Sequence, residues 1–207
     1  MASKLEFRLH KVLCVDEMDG PFGSEAGSDD IVLAGLTIEP EKKSAKTGQI
    51  AAFKVGVFDD GSVKTFDPPR RLALFDLKNG AEFPTKFAVT LMLIEQDHGN
   101  ISKAVSQLES KVKSEVTAAL AAAVGAGIGT AGGPIGMAIG AAAGVAVNKA
   151  FGELKGLFGD EVFKPQTIDR VIKSADQKFA GGAVPETLVF KGHGATYKVQ
   201  CDWHLLG

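Results

Sequence analysis

Apolar and polar residues alternate along much of the chain, and a period of two is typical of half-buried β-strands. Leu5, Phe7 and Leu9 alternate with charged neighbours near the start, and residues 197–205 do the same at the end. Further strand-like segments lie at 31–38, 53–57, 63–66, 72–75, 87–93, 168–172 and 188–190. Turn residues separate the amino-terminal segments and leave no room for helices between them. The pattern predicts an α+β protein that is mainly β, an antiparallel β-sandwich of about eight strands.

Three local irregularities in this pattern predict specific backbone features. The alternation changes phase near Lys11, which predicts a β-bulge in the first strand. Asp59-Asp60-Gly61 predicts a hairpin turn between two strands. Pro68-Pro69 predicts the end of the strand that follows this turn, because proline cannot donate a hydrogen bond within a sheet.

A helical period replaces the alternation after residue 100. Apolar residues recur every three or four positions at Ile101, Val105, Leu108, Val112, Val116, Leu120, Val124 and Ile128. Residues 129–134, Gly-Thr-Ala-Gly-Gly-Pro, interrupt the pattern, and proline suits the first turn of a new helix. A helical hairpin is therefore predicted at about 101–158, as an insert in a single β-sandwich domain that spans residues 1–207.

Both predicted helices carry small residues four positions apart. Glycine costs a helix about 1 kcal/mol relative to alanine, so such a row indicates that something packs closely against it. Small residues at this spacing let two helix backbones approach, as transmembrane helices often do. The predicted helix-packing or membrane-contact residues are Ala118, Ala122, Gly136, Gly140, Gly144, Gly152 and Gly156.

Residues 116–147 contain no charged side chain. The uncharged part of the first arm, 116–130, gives about 23 Å of helix, whereas a bilayer core is about 30 Å thick. Three interpretations follow: a hairpin packed on the sandwich or between subunits, a segment stored in soluble form and released into a bilayer, and a permanent transmembrane anchor.

The composition narrows the choice of partners and compartment. A formal net charge of −2 gives no reason to expect nucleic acid as a partner. The first ten residues lack the apolar run of a secretory signal, so we expect synthesis in the cytoplasm, with later release and membrane association left open. Cys14 and Cys201 lie in predicted strands, and we expect buried free thiols, with a disulfide between the first and last strands as the alternative.

The sequence carries no pattern that indicates enzyme chemistry. The four histidines are scattered, and no Ser-His-Asp order accompanies an oxyanion loop. Gly127, Gly129 and Gly132 spell G-x-G-x-x-G, but they follow a helical alanine run rather than a strand, which excludes a dinucleotide fingerprint. We expect no enzyme activity and no small-molecule substrate.

Carboxylates concentrate where strands meet long loops. Several carboxylates at one end of a sandwich would repel one another, and a hard cation with six to eight oxygen ligands would relieve that repulsion. Solvated loop acids and helix caps are the alternative explanation. The candidate calcium ligands are Asp16, Asp19, Asp29, Asp30, Asp97 and Asp160.

The acidic loop before Ser-Asp-Asp-Ile-Val-Leu-Ala-Gly-Leu (28–36) and the acids after 87–94 resemble the calcium-dependent lipid-binding sandwich domain of protein kinase C type. Residues 28–31 read Ser-Asp-Asp-Ile where that family has Ser-Asp-Pro-Tyr. The resemblance covers residues 5–97 and 160–206 in outline. It implies reversible, calcium-dependent attachment to a phospholipid surface.

The insert and the resemblance together predict a membrane-active protein of pore-forming or toxin-like character. Its sandwich would bind a surface, with calcium as a cofactor, and its glycine-rich hairpin would insert. The alternative is a soluble, non-enzymatic interaction module that uses the hairpin as a protein contact. We expect self-association in either case, and a lipid membrane as a partner in the first.

Overall fold

Eight β-strands and two α-helices make up the part of the chain that the structure, a computed structural model, describes. The described residues are 2–17, 29–40, 45–77, 83–95, 101–125, 135–154, 156, 162–174 and 176–207. The strands are β1 (Lys4–Asp16), β2 (Asp29–Pro40), β3 (Ala45–Phe58), β4 (Val63–Asp76), β5 (Thr85–Glu95), β6 (Gln166–Ile172), β7 (Ala183–Gly192) and β8 (Ala195–Leu206). The helices are α1 (Ile101–Gly125) and α2 (Ile135–Leu154).

The strands form two four-stranded antiparallel sheets. Sheet A has the order β4-β1-β8-β7, and sheet B has the order β3-β2-β5-β6. One apolar core draws side chains from both sheets, and its largest fully buried members include Trp203, Tyr197 and Phe7. The rings of Phe7 and Trp203 lie 4.7 Å apart between centroids. The predicted α+β sandwich is confirmed.

The first strand contains the predicted bulge. The register of β1 shifts between Leu9 and Lys11 against both of its neighbours, β4 and β8. The turn at residues 59–61 is also confirmed, and Gly61 there has a φ of 75°, which a residue without a Cβ adopts without strain.

The prediction that Pro68-Pro69 ends a strand is wrong. Residues 63–76 form one continuous strand, β4, which runs through both prolines. Two features explain this. β4 is an edge strand of sheet A, and the prolines lie where the register with β1 shifts, so no ladder bond is missing there.

The two cysteines are free and buried. Cys14 of β1 lies opposite Tyr197 of β8, whereas Cys201 lies opposite Leu9. The two thiols are therefore four residues apart along β8, roughly 13 Å, which is too far for a disulfide. Burial raises the pKa of both thiols, so neither is a reactive thiolate at neutral pH.

The outer faces of the two sheets differ in character. Sheet A presents charged side chains: Arg8 holds Asp202 through two hydrogen bonds of 2.9 and 2.7 Å, and Arg71 approaches Glu6. The outer face of sheet B is apolar, with Ala34, Leu36, Ile38, Ala88, Met92 and Ile94 all buried. A charged face is stable in water, but an apolar face of this size needs a cover.

Candidate functional site: the hairpin and the acidic end

The cover over sheet B is the helical hairpin formed by α1 and α2. The hairpin and the outer face of sheet B share a second apolar cluster, which is separate from the core of the sandwich. α1 lies mainly against β3, and α2 lies mainly against β5. The hairpin contributes Ala104, Val105, Leu108, Val112, Val116, Ala143, Ala146, Val147, Ala150 and Phe151 to this cluster.

Polar contacts fix α1 against the first half of β3. Glu109 accepts hydrogen bonds from Gln49 at 2.7 Å and from Thr47 at 3.2 Å. Gln49 also donates to the hydroxyl of Ser106 at 3.2 Å. These exposed or half-buried bonds set the position of the helix along the strand, while the apolar contacts supply most of the free energy of docking.

Two ion pairs connect the helices to each other. Lys149 contacts Glu115 at 2.8 Å, and Lys111 contacts Glu153. The hydrogen bond from Lys111 lowers the pKa of Glu153, and the bond to Glu115 raises the pKa of Lys149. Because the pKa of Glu153 is lowered in the folded state, its contribution to helix pairing is present above the carboxyl's ordinary pKa. That contribution disappears as the pH falls through the lowered value.

The small residues predicted to pack the helices lie in several environments. A Cβ built on Gly144 would meet Cβ of Thr167 at 3.9 Å, so this glycine faces β6 of the sheet. Gly152 and Gly156 are exposed, with nothing within 4 Å of such a Cβ, and Ala118 is exposed on α1. The surroundings of Ala122, Gly136 and Gly140 lie outside the described part of the molecule. Among the described side chains, Gly144 therefore approaches the sheet.

The second feature is an end of the sandwich that is rich in carboxylates, called here the acidic end. The strand register brings together the last residue of β1, the start of β2, the β3–β4 turn and the end of β5. The described carboxylates at this end are Asp16, Glu17, Asp29, Asp30, Asp59, Asp60 and Glu95. Asp59 and Asp60 were not predicted as members. Both could have been predicted from the hairpin turn that contains them, because a turn after β3 must lie beside the start of β2.

Two of the predicted calcium ligands have partners within the protein. Asp29 is buried and accepts a hydrogen bond of 2.5 Å from the hydroxyl of Tyr197, which ties sheet B to sheet A. Burial and this bond raise the pKa of Tyr197. Asp30 forms an ion pair with Lys54 at 2.7 Å, and Asp16 is exposed at the end of β1.

The described carboxylates do not by themselves form the oxygen shell that calcium requires. Among the described residues, no group of three or more His, Cys, Asp or Glu side chains is placed to hold a metal ion. Asp19, Asp97 and Asp160 lie outside the described residues, so calcium binding stays a prediction that depends on them.

Comparisons with known proteins give no assignment. Neither a scan against protein-family models nor a search of curated proteins found a match for this chain. Among the described helices, none is both long and apolar enough to cross a membrane. The candidate functional site is therefore the hairpin and its attachment to the sandwich.

Proposed function

We propose that the protein is a non-enzymatic, membrane-active protein whose hairpin is stored on sheet B and released into a lipid surface. One observation carries the proposal: the hairpin buries its apolar face in a cluster of its own, outside the core of the sandwich. Among the residues that the structure describes, none from α1 or α2 belongs to the core between the sheets. A hairpin attached in this way can leave while the sandwich remains folded.

The chain topology supports independent movement of the hairpin. The hairpin connects β5 to β6, and these strands are direct antiparallel neighbours in sheet B. Their seven paired positions, from Thr85 opposite Ile172 to Leu91 opposite Gln166, involve no hairpin residue. Release therefore breaks no strand pairing.

The energetics indicate that release needs a lipid surface. Leu36, Ile38, Met92 and Ile94 of sheet B are at most 2% exposed under the hairpin. Uncovering such side chains costs roughly 1.5–3 kcal/mol each, or roughly 6–12 kcal/mol for the four. In water the released form would then have a population on the order of 10⁻⁴ or less. Contact of lipid with the uncovered face of sheet B and with the apolar face of the hairpin offsets this cost.

The hairpin has a charged half near the strands and a charge-free half near its bend. The interhelical ion pairs involve residues 111, 115, 149 and 153, whereas residues 116–147 have no charge. The charge-free half is the part suited to the bilayer. Since each arm is short for a full span, we propose that both arms enter as one hairpin and that several hairpins associate through their small residues.

A charge placed on the exposed side of the charge-free half tests this proposal. Val145 is 73% exposed on the docked hairpin, so Val145→Asp leaves docking intact. An aspartate in the bilayer costs about 3 kcal/mol, so we expect about a hundredfold slower dye release from phospholipid vesicles. Release is measured with and without calcium.

Gln107→Asp is the matched control, because Gln107 is an exposed helical residue within the charged half and outside the row of small residues. We expect it to release dye like the wild type. Equal slowing by both substitutions would show a general charge effect and contradict insertion of the charge-free half.

The alternative function, a soluble interaction module, also has structural support. Ser106, Ser110, Ser114 and Ala118 form an exposed row of small residues along α1. A row of this kind leaves room for a helix from a second copy of the chain. This alternative predicts no dye release under any condition and a mass above that of one chain in light scattering.

A further inference from the structure

A cleft with a volume of about 490 Å³ lies where the chain leaves the hairpin and re-enters the sandwich. One wall is the end of α2 and the other is the β7–β8 turn, with the segment after the hairpin between them. The lining residues are Asn148, Phe151, Val162, Phe163, Lys164, Lys191, Gly192 and His193. We call it the basic cleft.

Among the described residues that line the basic cleft, the charged side chains are two lysines. Lys164 and Lys191 come from different elements and are both exposed, and no described carboxylate lines the cleft. Neither lysine forms an ion pair with any residue that the structure describes. Two lysines of the hairpin are paired: Lys111 with Glu153, and Lys149 with Glu115. Two unpaired ammonium groups across one cleft repel each other, and an anion between them relieves that repulsion.

The backbone holds His193 in an uncommon conformation at the mouth of the cleft. His193 has a φ of 53°, the left-handed region that non-glycine residues seldom adopt. Its ring packs edge-on against Phe163, with the centroids 5.8 Å apart, and Nε2 lies 3.3 Å from the carbonyl oxygen of Val162. Because a carbonyl can only accept, Nε2 carries the hydrogen.

Below the cationic groups, the floor of the basic cleft is apolar. Phe151, Val162 and Phe163 are buried there. A small anion alone would use only the rim, whereas a phosphate ester would place its phosphate between the lysines and its carbon portion on the floor. Charged oxygens accept strong hydrogen bonds from lysine.

We propose that the basic cleft binds a phosphate-bearing ligand, held by Lys164 and Lys191. The phosphate comes either from a free phosphate ester or from a phospholipid headgroup. The site uses only residues of the docked structure and does not require release of the hairpin, so it can exist whether or not the protein permeabilises membranes.

Calorimetric titration with inorganic phosphate, in a buffer without other oxyanions, tests the site. The wild type is expected to bind saturably, and the double variant Lys164→Gln, Lys191→Gln is expected to bind about tenfold more weakly or worse. Lys173→Gln is the matched control, since Lys173 is exposed directly after β6, outside the cleft. It should bind like the wild type.

Two results would overturn the site: no saturable binding of phosphate by the wild type, or equal affinity of the double variant and Lys173→Gln. Circular dichroism of each variant verifies that the sandwich is folded.

Vesicles of phosphatidic acid in phosphatidylcholine identify the source of the phosphate. Vesicle binding that inorganic phosphate displaces supports a lipid headgroup, and saturable phosphate binding without vesicle binding supports a free ester. Failure of this site leaves the dye-release prediction for Val145→Asp unaffected.

Discussion

A disulfide that fastens α2 to β6 is expected to abolish dye release from vesicles. Gly144→Cys with Thr167→Cys places two Cβ atoms about 3.9 Å apart, close to the usual separation in a disulfide. The oxidised protein cannot separate the hairpin from sheet B, so it should release no dye. Reduction should restore release to the level of the wild type.

Single-cysteine variants provide the controls for this disulfide. Each single-cysteine variant should release dye in both redox states. The native thiols of Cys14 and Cys201 are almost fully inaccessible, so they should not interfere with the engineered pair. Dye release by the oxidised double variant at the wild-type rate would show that the docked hairpin is itself active and would contradict release as the mechanism.

Leu108→Ala is expected to loosen the hairpin while the sandwich stays folded. Leu108 is fully buried between α1 and sheet B. Truncating a buried leucine costs about 2–5 kcal/mol, and here the loss falls on docking of the hairpin rather than on the core. Hydrogen exchange should therefore accelerate in α1 and remain slow in β5. Dye release should become faster, because less free energy is needed to undock.

The neighbouring exposed residue provides a control for the leucine truncation. Gln107→Ala removes a side chain of similar size from the solvent side of α1 and should change neither exchange nor dye release. Acceleration of exchange in α1 and β5 together, after Leu108→Ala, would mean that the hairpin opens only when the whole sandwich unfolds. That result would contradict a hairpin that is released by itself.

The fold class could be predicted from the sequence because strand and helix periods are visible within short segments. A period of two predicted the strands, and the change to a helical period after residue 100 predicted the hairpin. The wrong strand boundary at Pro68-Pro69 depended on information that is not local. Whether a strand tolerates proline depends on whether it lies at the edge of its sheet, and the position of β4 in sheet A is a property of the whole fold.

A continuous apolar run in β5 is the sequence feature that corresponds to docking of the hairpin. Residues 87–94 of β5, Phe-Ala-Val-Thr-Leu-Met-Leu-Ile, are buried on both faces of the sheet. A strand with two buried faces is a continuous apolar run rather than a strict alternation. The run in β5, with the similar one at 31–38, indicates that something covers sheet B.

The environment of the glycines could not be predicted from their spacing. A four-residue row fixes one side of a helix but not the direction in which that side points. The rotation of α2 is set by Val147, Ala150 and Phe151, which face the sheet. As a result, Gly144 meets Thr167 of β6, while Gly152 is left exposed.

The distance between the hairpin and the sandwich on a vesicle distinguishes a released hairpin from a docked one. Spin labels at Ser110→Cys on α1 and Lys198→Cys on β8 occupy exposed positions on opposite sides of the molecule. Pulsed electron paramagnetic resonance should give one narrow distance distribution in water. On vesicles that are being permeabilised, we expect a longer and broader distribution, because the hairpin has left sheet B. An unchanged distribution on those vesicles would contradict the proposed release.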